Sequence, residues 1–260
     1  MNADDLKSLF ANTETEGKQN IDKNNSESDD IIASPWQEMK DRFPAKRVIR
    51  PVRVSAIVGG TVDPRIVSYS LYNSFNYAMF MAKDHETTKL SLGVTSPNIN
   101  EGKTTTVCNL ATALAMGSGK RTVIVDINLY KPSIHEIFGI PCGPGLAEAL
   151  MGEEICVTPT KIENLFALPA GNARILVSNK LPAFREVLAA LYNEFDFVIV
   201  DLPPASSRGF PTLIANQLSG LIVVVRSRVT KRREIARLFR KLPEKSILGF
   251  VMNGVNENDL

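Results

Sequence analysis

Histidine is nearly absent from this 260-residue chain, tryptophan occurs once and cysteine three times. His85 and His135 stand far apart, which leaves no histidine cluster to found a metal centre. Cys108, Cys142 and Cys156 are odd in number and never paired as C-x-x-C. A disulfide framework and a zinc site are thereby excluded, and a reducing compartment is expected. No apolar run approaches the ~20 residues that a bilayer-spanning helix needs. The first 30 residues are acidic and polar, unlike a signal peptide. A cytoplasmic protein is expected, recruited to the inner face of the plasma membrane, if at all, by a partner. Charge of one sign is lacking too: 30 Lys+Arg against 28 Asp+Glu leave +2, which selects no polyanionic partner, and no nucleic acid is expected.

What is present is a globular composition, 44% hydrophobic, long enough for one α/β domain with an appendage. Residues 1–34 hold eight acidic side chains against three lysines and few apolar ones. Such a stretch cannot bury enough surface to offset its ordering entropy, so disorder is expected there. Between Lys40 and Arg53 the balance turns basic, which reads as a linker. The expected division is therefore 1–60, an acidic tail with a basic linker, and 61–260, the folded domain. Trp36 and its neighbours in the tail could serve as a docking peptide for a partner. Ile66, Tyr69, Tyr72, Phe75 and Met79 recur at helical spacing and predict a helix that packs through that stripe. Beyond it, short β-branched runs alternate with helical segments. Strands are expected at 91–95, 122–126, 165–168, 197–201, 220–225 and 247–252. Helices are expected at 103–116, 132–138, 145–150, 182–194, 211–217 and 231–241. Alternation of this kind predicts a doubly wound, mostly parallel α/β sheet flanked by helices, and with the loop at 95–105 the expected fold is that of a P-loop NTPase.

The chemistry concentrates at the junction of the first of these strands with its helix. Thr95-Ser96-Pro97-Asn98-Ile99-Asn100-Glu101-Gly102-Lys103-Thr104-Thr105 follows an apolar strand and opens a helix, which is the setting of a phosphate-binding loop. Unpaired main-chain N–H groups at a helix start face an anion, and the helix dipole adds positive potential. Lys103 reaches outer phosphates and the Thr104 hydroxyl suits magnesium. Asn100, Glu101, Gly102 and Thr105 complete the wrap. Pro97 replaces the first glycine of G-x-x-x-x-G-K-[ST], and Asn100 stands where a second glycine is common. Asparagine tolerates left-handed backbone, which lets the loop survive. Two more strands, Val123-Ile124-Val125-Asp126 and Val198-Ile199-Val200-Asp201, end in aspartate, where open α/β sheets bind ligands. Either aspartate alone could be a cap; with Lys103 they point to one site for ATP and magnesium, with Thr104, Asp126 and Asp201 at the metal.

Several blocks add a resemblance. Thr95-Ser96-Pro97, Glu101-Gly102-Lys103-Thr104-Thr105 and Asn109-Leu110-Ala111 are followed by Val125-Asp126, Lys131-Pro132-Ser133 with His135, and Phe138-Gly139. Gly145-Leu146, Leu150-Met151-Gly152, Leu168-Pro169-Ala170-Gly171 and Asp201-Leu202-Pro203-Pro204 complete the series. In this order and wording the stretch 91–255 resembles the bacterial tyrosine kinase (BY-kinase) family, cytoplasmic ATP-binding partners of chain-length regulators in capsule and exopolysaccharide synthesis. The resemblance implies a phosphate-binding role for Lys103, a magnesium-ligand role for Thr104, and the two Walker-type carboxylates in Asp126 and Asp201. It also implies adenine contact for Asn253 and, as partner, a membrane polysaccharide copolymerase.

The chain departs from that family in four places. Asn128 stands where a second aspartate, two beyond the first, is usual, and an amide cannot take up a substrate hydroxyl proton. Lys103, Asp126 and Asn128 are thus the catalytic positions, the last in altered form. Tyr130 replaces a common arginine. No tyrosine cluster follows Tyr192. The helix at 66–81 carries no glutamate or arginine, which puts a ring held by those charges in doubt, while a homo-oligomer stays among the expected partners. Three functions compete: a catalytically weak regulator of the copolymerase, an active protein-tyrosine kinase modifying a partner or Tyr69, Tyr72 or Tyr77, and a partition or septum-site ATPase of the ParA/MinD type. The last typically carries a lysine where Asn98 stands. The basic run 226–241 could suggest DNA, yet Ile235, Leu238, Phe239 and Leu242 give it an apolar side, as in a solvated amphipathic helix. His135 is expected to be structural.

Overall fold

The computed structural model describes residues 57–58, 61–62, 89–129, 131–172, 177–242 and 247–254. The acidic tail with Trp36, the basic linker, the expected helix at 66–81 and Tyr130 lie outside the described residues.

The strands are β1 (Ile57–Val58), β2 (Thr61–Val62), β3 (Leu90–Thr95), β4 (Thr122–Asp126), β5 (Thr158–Pro159), β6 (Leu165–Leu168), β7 (Phe197–Asp201), β8 (Gly220–Arg226) and β9 (Ile247–Asn253). The helices are α1 (Lys103–Ser118), α2 (Ile134–Phe138), α3 (Leu146–Leu150), α4 (Phe184–Glu194), α5 (Thr212–Ala215) and α6 (Arg232–Lys241). A 3-10 turn, Val177–Ala183, leads into α4. β1 and β2 form a short antiparallel pair of their own. The other seven strands make one sheet in the order β5-β6-β4-β7-β3-β8-β9. All its pairings are parallel except β5 with β6. The α/β P-loop architecture expected from the sequence is the one found.

Strand alternation divides the core into two faces. On β4, Ile124 points toward α1, joining Leu92, Val94, Ile199, Ile222 and Val224. Val123 and Val125 point the opposite way with Val198, Val200, Leu221, Val223 and Val225, against α3, α4, α5 and α6. The period of two thus serves both layers, so the central strands read as unbroken apolar runs. α1 is buried on every side from Thr106 to Ala115. α6 is the opposite case: Ile235 and Leu238 are buried while Arg233, Arg237 and Arg240 are exposed, so its basic residues sit on the outward face.

Differences from the expected elements are local. α2 begins at Ile134 rather than 132, and α5 spans only Thr212–Ala215. The segment 177–183 is 3-10 because Pro182 interrupts it, delaying the α-helix to Phe184. β5 was not expected. It is two residues long and ends in Pro159, which suits a sheet edge and leaves almost no periodic signal. Among the described residues no helix is long and apolar enough to cross a membrane.

Ile124 is fully buried at the centre of the α1 face. Ile124→Ala is expected to cost about 2–5 kcal/mol, since a close-packed sheet cannot collapse into the cavity. Urea unfolding measures this, and an unchanged midpoint would refute the placement of Ile124 in the core.

Candidate nucleotide site

β3 delivers the chain to the carboxyl edge of the sheet, and residues 96–102 turn it back into α1. Asn100 adopts φ 60° and Gly102 φ 94°. The position normally held by glycine therefore requires left-handed backbone, and asparagine is the substitute that tolerates it best. Gly102 is constrained twice, because a Cβ there would also lie 1.9 Å from Asn253 Nδ2. The loop is strapped from below: the Ala205 N–H donates to Ser96 O (2.8 Å) and the Ser206 N–H to Pro97 O (3.0 Å). From the side, the Asn98 N–H donates to Glu101 Oε2 (2.9 Å) and Asn253 Nδ2 to Glu101 O (3.0 Å). α1 then starts with no side-chain cap and no acidic residue in its first turn. Its leading N–H groups have no carbonyl within the helix to bond, so the N-terminus presents donors and positive potential to an anion.

The two strand-end carboxylates lie beside this loop. β4 and β7 run in register, with Asp126 opposite Asp201, which sets the two residues one strand spacing apart, about 4.8 Å. Both are fully buried. Asp201 Oδ2 accepts the Thr104 hydroxyl at 2.7 Å, while its Oδ1 is buried with no partner. Burial is the main force on this carboxyl and raises its pKa to about 7; Lys103 pulls it down and Asp126 pushes it up. Asp126 is also raised by burial, but it is better served. Its Oδ1 accepts the Asn128 N–H (3.0 Å), and its Oδ2 accepts those of Ser133 (3.1 Å) and Ile134 (3.2 Å). It therefore caps α2 and closes the turn after β4, in addition to standing at the site.

The structure brings Lys103, Thr104, Asp126 and Asp201 together around the mouth of the loop. The orphaned Asp201 oxygen beside a threonine hydroxyl is a hard-oxygen donor set that fits magnesium. Among the described residues no group of three or more His, Cys, Asp or Glu side chains could hold a metal alone. A magnesium site that takes its remaining ligands from phosphate and water needs none. Asn128 contributes its main-chain N–H to Asp126. Thr105 accepts Asn109 Nδ2 at its carbonyl (2.9 Å). The Asn253 amide is engaged with the loop at Glu101 and with the Gly254 N–H (2.9 Å). Glu101 turns its carboxylate inward, 2% exposed. His135 lies near enough for its charge to lower the pKa of Asp126, with its Nδ1 buried and unpartnered.

Sequence reasoning missed two supports. Thr230 bonds Glu101 from the turn after β8 (2.6 Å), and nothing in the basic run around it marks that hydroxyl. The Leu168-Pro169-Ala170-Gly171 block also has a physical task. Pro169 O and Ala170 O accept the first N–H groups of α3, at 2.8 and 3.0 Å from Leu146 and Ala147. Gly145 is required because a Cβ would lie 2.3 Å from Pro169 O.

Asp201 holds its proton more tightly in the folded chain, at about 7, than at the ordinary carboxylate value of 3.8. Its stabilising contribution is full below the ordinary value and is lost as pH rises through the folded one. Without nucleotide or metal, the chain is expected to melt lower at about pH 8 than at about pH 6. Asp201→Asn should flatten that slope and raise the melting temperature at the alkaline end, by about 2–4 °C per kcal/mol recovered. Thermal melts across this range check both; a slope unchanged by the substitution would contradict the assignment.

Comparison with known proteins gives the geometry a context. No protein-family model matches the chain. It is 28% identical over 264 residues to the tyrosine-protein kinase Wzc of Salmonella typhimurium, covering 96% of this chain and 35% of Wzc. It is 27% identical to the tyrosine-protein kinase YwqD of Bacillus subtilis, covering 81% and 91%. With the succinoglycan biosynthesis transport protein ExoP of Rhizobium meliloti it shares 31% identity, covering 65% and 23%. The chain thus spans about a third of the length of Wzc. Among solved structures, the chimerical protein CapA2B2 superposes with a TM-score of 0.73 at 25% identity, covering 85% of this chain and 99% of that one. These similarities, to bacterial tyrosine kinases in sequence and to CapA2B2 in fold, support the resemblance of the chain to the bacterial tyrosine kinase family.

Proposed function

We propose that this chain binds ATP with magnesium between the 96–105 loop and the two strand-end aspartates. We propose further that it acts as a catalytically weak regulator of a membrane polysaccharide copolymerase in capsule or exopolysaccharide production, within a nucleotide-binding domain spanning residues 61–260. The observation that carries the reading is the Thr104–Asp201 contact at 2.7 Å with an unpartnered carboxylate oxygen beside it. Lys103 supplies the positive charge for outer phosphates, the loop amides hold the polyphosphate, and Asn253 at the loop's flank is the residue for adenine. When bound, magnesium supplies charge neutralisation on the phosphates. The polysaccharide setting is supported by ExoP, whose name ties that protein to succinoglycan biosynthesis and transport.

Weak catalysis follows from Asn128. The residue is tied by its main chain to Asp126, at the position where a second carboxylate would receive the proton of an attacking hydroxyl. Its amide cannot do so. Tyr192 is no acceptor for the phosphoryl group either. Its hydroxyl donates to Ser91 Oγ at 2.6 Å, at the start of β3, whereas the loop begins at the strand's far end. Four strand steps separate Ser91 from Thr95, about 13 Å.

Incubation with γ-labelled ATP tests the reading. Wild type is expected to transfer label slowly and Lys103→Ala not at all. Asn128→Asp is expected to raise the rate by about 10²-fold or more, the usual contribution of a positioned base. Rapid labelling of wild type that Asn128→Asp leaves unchanged would replace the regulator reading with that of an active tyrosine kinase.

A further inference from the structure

We propose that Thr230, on the turn between β8 and α6, is a positioning residue for phosphate binding: its hydroxyl holds the 98–102 loop in its wrapping shape through the buried carboxylate of Glu101. This rests on the nucleotide reading above and assigns a residue that no phosphate-binding motif contains.

Glu101 sits inside the loop that would surround a polyanion, yet its carboxylate points away from the mouth. Oε2 accepts the Asn98 N–H (2.9 Å) and Oε1 accepts the Thr230 hydroxyl (2.6 Å). Both Glu101 and Thr230 are 2% exposed. Burial raises the pKa of Glu101, and the charge of Glu234 adds to the rise. A desolvated carboxylate next to another acid stays in place only while its hydrogen bonds hold. Thr230 is well suited to hold it. Its oxygen accepts the Arg226 N–H (2.8 Å), so its single proton is committed to Glu101.

The anchor itself is stiff. The Thr230 and Val229 N–H groups both donate to Arg226 O (3.0 and 3.2 Å), and the Ser227 N–H donates to Asn253 O (2.8 Å). From the same end of the sheet, Arg226 Nη1 reaches Asn100 O (3.4 Å) and Asn253 Nδ2 reaches Glu101 O. Three contacts thus converge on the loop, and the Thr230–Glu101 bond is the short, buried one with a carboxylate acceptor. Loss of that hydroxyl leaves Glu101 Oε1 without its donor. Relief comes from swinging the carboxylate to water, which releases the Asn98 amide and frees the peptides that must wrap phosphate.

The experiment compares wild type, Thr230→Val and Thr230→Ser by calorimetric titration with Mg-ADP. Hydrogen exchange of the 96–106 segment, measured by mass spectrometry, accompanies it. Thr230→Val keeps the shape without the hydroxyl, and its affinity is expected to fall about tenfold, as loss of one buried hydrogen bond to a charged group allows. Thr230→Ser should stay within about twofold of wild type because it keeps the donor. Faster exchange is expected at 96–106 in Thr230→Val while β4 and β7 stay protected; a purely structural role would loosen the strands as well and would overturn the assignment. Equal affinity of wild type and Thr230→Val would overturn it too. Absence of Mg-ADP uptake by wild type would instead overturn the nucleotide reading beneath it.

Discussion

Two carboxylates buried one strand spacing apart set the terms for everything around them. The register of β4 with β7 puts Asp126 against Asp201. Neither can remain charged there without help. The chain divides that help unequally. Asp126 receives three main-chain amides from residues 128, 133 and 134, which also fix the turn after β4 and the start of α2. Asp201 receives one hydroxyl and the field of Lys103, and keeps one oxygen bare. The first is tied into the scaffold. The second is left unsatisfied, in a form that a divalent cation would relieve.

The loop beside them departs from the usual phosphate-binding sequence and keeps its shape by other means. Pro97 offers no amide, but its carbonyl is still held by the Ser206 N–H. Asn100 takes the left-handed backbone that glycine would take. What a glycine-rich loop achieves by freedom, this one achieves by ties from three directions, at Ala205 and Ser206, at Asn253, and at Thr230. A tied loop loses less entropy on closing around phosphate, and part of the ordering cost is met in folding rather than in binding.

Most of the sheet was legible because its strands are buried on both faces. The runs at 122–126, 165–168 and 197–201 are bounded as the sequence suggested, since continuous apolar residues between turn signals leave little choice of ends. Lys103, Thr104, Asp126 and Asp201 were legible for a related reason: strand-end acids and a Gly-Lys-Thr at a strand–helix junction are local patterns. The rest depended on distant contacts. The two-residue edge strand 158–159 exists only because β6 is there to pair with it. Thr230 lies 129 residues from Glu101, and no periodicity links them. Capping by Asp126 was weighed as an alternative to a metal role. The structure gives it the cap, and its register opposite Asp201 is what the proposed metal role rests on.

Asn128 then has an electrostatic meaning beyond the lost base. A second carboxylate there would put a third acid near a single lysine, close to a pair that burial already forces toward protonation. Like charges at such separations cost several kcal/mol at the dielectric of a partly buried site, roughly 332/(ε·r) with ε near 20. Asparagine removes that repulsion and leaves untouched the main-chain N–H that Asp126 uses. On the proposed reading, Asn128 relieves repulsion among these acids and gives up a base for proton transfer. That exchange suits the regulator proposed above, whose output would be a difference between two shapes rather than turnover.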